Sequence, residues 1–336
     1  MRRNLLILAI ALLLVGGCSA QTPAAPTEAP APTEAPAPTD TPAPEPTEAQ
    51  VEPSNTPEPQ EDGAMLELER TLDLPFIPHD LAVGPDGNLY VVALGENMVY
   101  KPAPDGSVLT SWGGAGSEPG QFAFNPPPDA PPMGGGFVVA GTDGMVYVTD
   151  AWNNRVQIFD DGGNFITAWE TIGSEGSPFD APGPISIGPE GNLYVANFGG
   201  VHEIQPDGTY VRTISAAGEV ASGSQGNLYT VVAFEGFALK FPAAGGAPMT
   251  FGEAGEGPGQ FTTPMWVQVG GDDVLYIADH SGRVQMFNTE GEHLGTWNDP
   301  GEGEDVLSAA SAIALDDDGN LYLGPKDRAK IYVLTH

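Results

Sequence analysis

Six times between residues 84 and 323 the chain returns to one pattern, a tight turn followed by an apolar segment centred on tyrosine. It is clearest as Gly84-Pro85-Asp86-Gly87-Asn88-Leu89-Tyr90-Val91 and again as Gly188-Pro189-Glu190-Gly191-Asn192-Leu193-Tyr194-Val195. Aligned on the tyrosine, the copies stand at Tyr90, Tyr147, Tyr194, Tyr229, Tyr276 and Tyr322, at intervals of 57, 47, 35, 47 and 46 residues. A period of about 45 residues confines the fold to propellers and helical arrays. Segments such as Val146-Tyr147-Val148 and Arg155-Val156-Gln157-Ile158-Phe159 are short, β-branched and aromatic, and glycine or proline interrupts them too often for helices. Each unit therefore reads as four strands, and the class is all-β, a six-bladed β-propeller.

The ends of the repeat say how the ring closes. The last unit stops after Lys330-Ile331-Tyr332-Val333, its third strand, and lacks a fourth. Residues 66 to 72 alternate as a strand should and precede the first unit, so they are expected to pair with the last blade and remove its open edge.

Upstream of the propeller the composition changes twice. Arg2 and Arg3 precede an apolar run from Leu5 to Val15, too short to span a membrane stably, and Val15-Gly16-Gly17-Cys18 follows. This reads as an export signal over residues 1–18, and the small residues before Cys18 resemble a bacterial lipoprotein box in which that cysteine is lipidated. Cys18 is the chain's one cysteine, so the rest of the chain has no disulfide and no thiol chemistry. Residues 19–62 hold 12 prolines, nine acids, no base and no aromatic. Such a segment cannot bury a core and is expected to be an extended linker, reaching up to about 130 Å at roughly 3.1 Å per residue. Residues 63–336 form the propeller.

Charge narrows the partners. Of the net −34, the propeller carries −27. Nucleic acid and anionic lipid surfaces are poor partners for that field. The expectation is a monomeric domain that is extracytoplasmic and held to a bacterial membrane through a lipid on Cys18.

The local motifs are specific enough to suggest a family. Asp150-Ala151-Trp152-Asn153-Asn154-Arg155-Val156-Gln157-Ile158-Phe159 and Ala278-Asp279-His280-Ser281-Gly282-Arg283-Val284-Gln285-Met286-Phe287 resemble the core of the NHL repeat. Gly116-Ser117-Glu118-Pro119-Gly120-Gln121-Phe122 and Gly255-Glu256-Gly257-Pro258-Gly259-Gln260-Phe261 are similar to its linkers between blades. The resemblance is closest in the second and fifth units and poorest in the fourth. It implies a six-bladed NHL propeller over about 64 to 336 and leaves function open, because such propellers host enzymes and binding platforms alike.

The turn that repeats is read as a turn. Proline sets its first position and glycine takes the left-handed third, while the acid varies through Asp86, Asp143, Glu190, Gln225, Asp272 and Asp318. A loop that held calcium through that carboxylate would not accept glutamine. Strand direction puts these turns on one face. In propellers of this type, ligand sites lie on the opposite face, built from the loops between second and third strands and the connections between blades.

On that face the candidate residues are His79, Asp80, Asp150, Trp152, Asn153, Asn197, Phe198, Trp266, Asp279 and His280. Eleven residues before each tyrosine stand His79, Gly136, Gly183, Gly218, Met265 and Ser311, and one residue later Asp80, Phe137, Pro184, Glu219, Trp266 and Ala312. Pro78-His79-Asp80-Leu81 resembles the segments that carry zinc histidines in amidating lyases of the NHL type. That chemistry needs three imidazoles, and the other histidines fall elsewhere in their units. Asp150, Asn197 and Asp279 also suggest the oxygen ligands of a gluconolactonase-type hydrolase, although Asp150 has local partners in Asn153 and Arg155. The expected function is a tethered NHL propeller that binds a peptide, protein or glycan, with no cofactor and no catalytic set. The alternative is a metal-dependent hydrolase or lyase using calcium or zinc on His79, Asp150, Asn197 and Asp279. An insertion at Asn125-Pro126-Pro127-Pro128-Asp129-Ala130-Pro131-Pro132 is expected to form a flap over the channel mouth.

Overall fold

The computed structural model describes residues 66–127, 135–172, 177–298 and 310–336, with only the backbone of Ile172, Ser177 and Pro178. The chain divides into two units at Glu58 and Pro59, and the description below concerns the second. Cys18, the expected export signal and linker, and most of the proline insertion lie outside the described residues.

Six four-stranded antiparallel sheets are present among the described residues, five with their strands in chain order and the sixth taking its outer strand from the start of the propeller. Blade 1 runs Asp80–Val83, Leu89–Ala93, Met98–Pro102 and Val108–Gly113. Blade 4, whose sequence departs furthest from the repeat, has the same four strands at Val220–Ser222, Leu228–Val232, Phe237–Phe241 and Met249–Phe251. All six repeat tyrosines lie on second strands and are buried, so one residue marks one position in every blade. The first strand of each blade touches the first strands of both neighbours, and that of blade 6 touches that of blade 1. These strands form the wall of a closed ring.

Closure follows the expected route. Glu67–Asp73 is the outer strand of blade 6 and pairs antiparallel with Lys330–Thr335, from Glu67 opposite Thr335 to Asp73 opposite Lys330. Leu72 is buried in the cluster shared by blades 6 and 1. The ring thus has no free edge at the point where the chain's two ends meet.

The repeat turn is a turn in every particular. Gly87 Nα donates to the Gly84 carbonyl and has φ +73°, while Asp86 accepts from the Asn88 backbone. Asp273, the non-glycine at this position, has φ 61°. In the last blade the turn is filled by its own acid: Asp316 accepts from Asp318, Asn320 and the Tyr322 hydroxyl.

What joins the blades is polar and buried. In blade 2, Asp150 Oδ2 accepts from Arg155 Nε at 2.8 Å, Asn153 Nδ2 at 2.9 Å and Gln157 Nε2 at 3.0 Å, while Oδ1 accepts from the Ala123 backbone at 2.7 Å. The guanidinium of Arg155 then donates to the carbonyls of Ser117, Glu118 and Gln121. Gln157 completes the clasp, accepting from Gly120 and donating to Gln121. The linker that leaves blade 1 is therefore held by side chains of blade 2. Blade 5 repeats the device: Asp279 accepts from Thr262, Arg283 reaches Glu256 and Gln260, and Gln285 accepts from Gly259 and donates to Gln260. Asp150, Gln157, Asp279 and Gln285 are all within 1 % of complete burial.

Replacing Asp150 by alanine strands a buried guanidinium and an orphaned linker amide, which should destabilise the propeller by about 3–5 kcal/mol. Urea unfolding of Asp150→Ala against the parent measures this, and a loss below about 1 kcal/mol, the level of an exposed pair, would show that the clasp does not carry the joint.

Candidate functional site

The site begins with geometry at the narrow end of the blades. Residues ten positions before the six tyrosines all stand at the same level of the innermost strands, so those of blades 1 and 4, 2 and 5, and 3 and 6 face one another across the axis. The rings of Phe137 in blade 2 and Trp266 in blade 5 lie 6.1 Å apart between centroids. That contact crosses the axis and closes the channel at this level. The Trp266 indole N–H donates to the Ala310 carbonyl at 3.1 Å, and only 8 % of the residue is exposed. Trp266, a candidate residue of this face, forms part of the channel floor, while the pleat sends its neighbour Met265, 39 % exposed, to the surface.

Beside this floor stand two carboxyls on opposing blades. Asp80 Oδ2 accepts from the Val138 backbone N–H at 2.7 Å, across the joint between blades 1 and 2. Burial pushes its carboxyl from 3.8 up to about 7. Glu219, from blade 4, is 9 % exposed and has no hydrogen-bond or ion-pair partner among the described residues. Burial, and then the charge of Asp80, hold it well above the ordinary carboxylate range. The sequence put Glu219 in the same register column as Asp80, but it was not among the candidate site residues.

His79 completes the group. Its backbone N–H donates to the Val92 carbonyl at 2.8 Å, and its ring meets the Phe137 ring edge-on at 5.4 Å. Nε2 is buried and has no hydrogen-bond partner. Burial lowers the imidazole from 6.5 to about 4, so it is neutral at physiological pH. The approach is tight: a Cβ on Gly135 would come within 2.7 Å of Nε2. Ser311 closes the ring on the blade 6 side, donating to the Pro78 carbonyl.

The remaining candidates are dispersed. Asp150, Asn153 and Asp279 belong to the clasps between blades: the aspartate oxygens accept from protein donors, and Asn153 Nδ2 donates to Asp150 and to the Gly116 carbonyl. Asn197 accepts from the Gly199 backbone and faces His202 Nε2 at 2.9 Å, a local contact within blade 3. An ion held by His79, Asp150, Asn197 and Asp279 does not fit this arrangement, since three of the four are engaged in separate hydrogen-bond networks. Among the described residues no three His, Cys, Asp or Glu side chains come together as a metal site. His202, His293 and His336 meet Thr213, Thr296 and Tyr276, so the three imidazoles of a lyase-type zinc site do not converge.

Around the mouth the loop face is apolar in places. Of the large exposed hydrophobic residues, seven lie on outermost strands, and the other four, Ile77, Phe198, Phe234 and Met265, lie at or near the loop rim. Phe198 is 67 % exposed and Phe234 is fully exposed, in the loops between second and third strands of the adjacent blades 3 and 4. His280 is exposed in the corresponding loop of blade 5, and Trp152 is half-buried with its indole nitrogen buried and unpartnered.

Comparison with known proteins agrees on the fold. No protein-family model matches the chain. A 118-residue stretch is 32 % identical to peptidyl-glycine alpha-amidating monooxygenase of Mus musculus and 31 % identical to the enzyme of Rattus norvegicus. The match takes in 33 % of this chain and 11 % of each relative. Among solved structures, selenomethionine-substituted virginiamycin B lyase from Staphylococcus aureus superposes with a TM-score of 0.52 at 18 % identity, covering 81 % of this chain and 100 % of that one. A streptogramin B lyase gives 0.52 at 15 % identity, over 80 % of this chain and 97 % of that one. At such identities the likeness is one of architecture.

The two perturbed groups have opposite pH signatures. Asp80, raised on folding, contributes stability that is present below about pH 4 and lost as pH rises toward 7. His79, lowered on folding, contributes stability that is present above pH 6.5 and lost as pH falls toward 4. In urea unfolding from pH 4 to 7, the stability of the parent relative to Asp80→Asn should therefore fall with pH, and relative to His79→Asn it should rise. Flat differences for both would place these side chains in solvent.

Proposed function

We propose that the protein is an extracytoplasmic, lipid-anchored propeller that serves as a binding module, taking a protein or peptide segment on its loop face. The observation that carries this is the exposure of Phe198 and Phe234 on neighbouring loops, on the face that also bears Met265 and Ile77. Two neighbouring exposed phenylalanines, one of them fully solvated, leave apolar surface in water that a partner would cover, and aromatic anchors of this kind dominate the energetics of protein interfaces. The clasps of blades 2 and 5 support the reading, since they fix the loops that carry Trp152 and His280. A rigid rim binds without having to be ordered first.

The anchor rests on sequence. Arg2 and Arg3, the apolar run and Cys18 form the export and lipidation signal, and the proline-rich segment would hold the propeller off the membrane. Among the described residues no helix is long and apolar enough to cross a membrane.

The metal-dependent enzyme reading is the weaker one. Its support is the likeness to lyases in architecture and to an amidating monooxygenase over 118 residues, while the donor set it would use is engaged elsewhere.

Peptides selected from a random displayed library on the full-length protein should bind at least tenfold more weakly to a Phe198→Ala, Phe234→Ala double variant, a loss of about 1.4 kcal/mol. Equal binding by the two proteins would remove the rim from consideration, and capture on a glycan array in place of peptides would replace the ligand class. Incorporation of labelled palmitate in a bacterial host should occur in the parent and disappear in Cys18→Ala; incorporation that survives would rule out this anchor.

A further inference from the structure

The channel floor presents a chemical complement that the rim alone does not explain. Glu219 and Asp80 face each other across an axis so narrow that, at the same level, Phe137 and Trp266 touch. The described residues put no lysine or arginine against either carboxyl. The cations of the neighbouring blades are committed elsewhere, Arg155 to Asp150 and Lys101 to Asp86. Glu219, 9 % exposed, has no partner among the described residues, so its carboxyl is a largely desolvated acceptor that a donor entering the mouth can satisfy.

A second observation points the same way. The Nε2 atom of His79 is buried and unpartnered, and its ring stands against Phe137, the ring that closes the floor. With Glu219 it makes two unsatisfied polar groups at the same end of the channel. The Phe137 and Trp266 rings border the space, and the π-system of an aromatic ring attracts a cation placed over it. The propeller's net charge of −27 draws cations toward it from a distance.

We propose that the channel mouth is a binding site for a primary ammonium group, seated between Glu219 and Asp80 over the Phe137 and Trp266 rings. An ammonium carries three donors and no acceptor. The two carboxyls and the neutral imidazole provide acceptors and nothing that repels it. A guanidinium is wider and planar, which a channel closed by touching rings does not suit. Such an ammonium belongs either to a lysine side chain of a polypeptide or to a free small amine. This inference deepens the binding reading by naming the group that enters the channel, and it rests on that face being the ligand face.

Calorimetric titration of the full-length protein tests it with three probes: cadaverine, an acetylated and amidated Ala-Lys-Ala peptide, and the same peptide with norleucine in place of lysine. At least one amine should bind, the norleucine peptide should not, and Glu219→Gln should weaken the amine at least tenfold. Asp80→Asn serves as the second variant should Glu219→Gln fold poorly, with the same loss expected. Tighter binding of the lysine peptide identifies a polypeptide source, and tighter binding of cadaverine a free amine. Absence of binding by either amine at millimolar concentration, equal binding of the norleucine peptide, or unchanged affinity in both variants would overturn the proposal. Small amines do not need the rim, so loss of peptide capture in the phenylalanine variant leaves this result standing, and the reverse also holds.

Discussion

A carboxylate with no water around it organises this molecule. Asp150 is completely buried, yet its carboxylate accepts four hydrogen bonds from the protein, one from the linker backbone and three from side chains of its own blade. The arginine it orients reaches three carbonyls of a linker that would otherwise leave unpaired backbone groups in the seam between blades. Propeller blades pack through apolar faces that slide easily against one another. The clasp supplies the direction that hydrophobic burial lacks, and its recurrence at Asp279 gives the ring two such fixed seams on opposite sides.

The same feature explains why some residues that look functional are structural. An aspartate, an asparagine and an arginine within six positions resemble a site, and in blade 2 they are one, but the ligand is the protein's own chain. The register column that supplies the real channel residues is less conspicuous. His79, Asp80, Phe137, Glu219 and Trp266 come from four different blades and share nothing in sequence except distance from a tyrosine.

That distinction sets what the sequence could disclose. Blade number was readable because the turn must place glycine, or an aspartate such as Asp273, in left-handed backbone at each repeat. Closure was readable because the last unit ends one strand short. Both halves of the clasp were visible as motifs, but not their contact, because Arg155 and the carbonyls it grips are 34 to 38 residues apart. Glu219 was obscured by its setting in blade 4, whose surrounding sequence departs most from the repeat while its backbone does not. Trp266 was legible as a member of the channel column, but its contact with Phe137 was not, because the two rings come from opposing blades 129 residues apart.

The closing strand has a further consequence. Glu67 lies opposite Thr335, at the end of the third strand of blade 6 that leads to the turn rim, and Asp73 lies opposite Lys330, at the loop rim. The closing strand therefore begins on the turn side of the disc, on the face opposite the channel mouth and its phenylalanines, so the strand that seals the ring also distinguishes a front from a back.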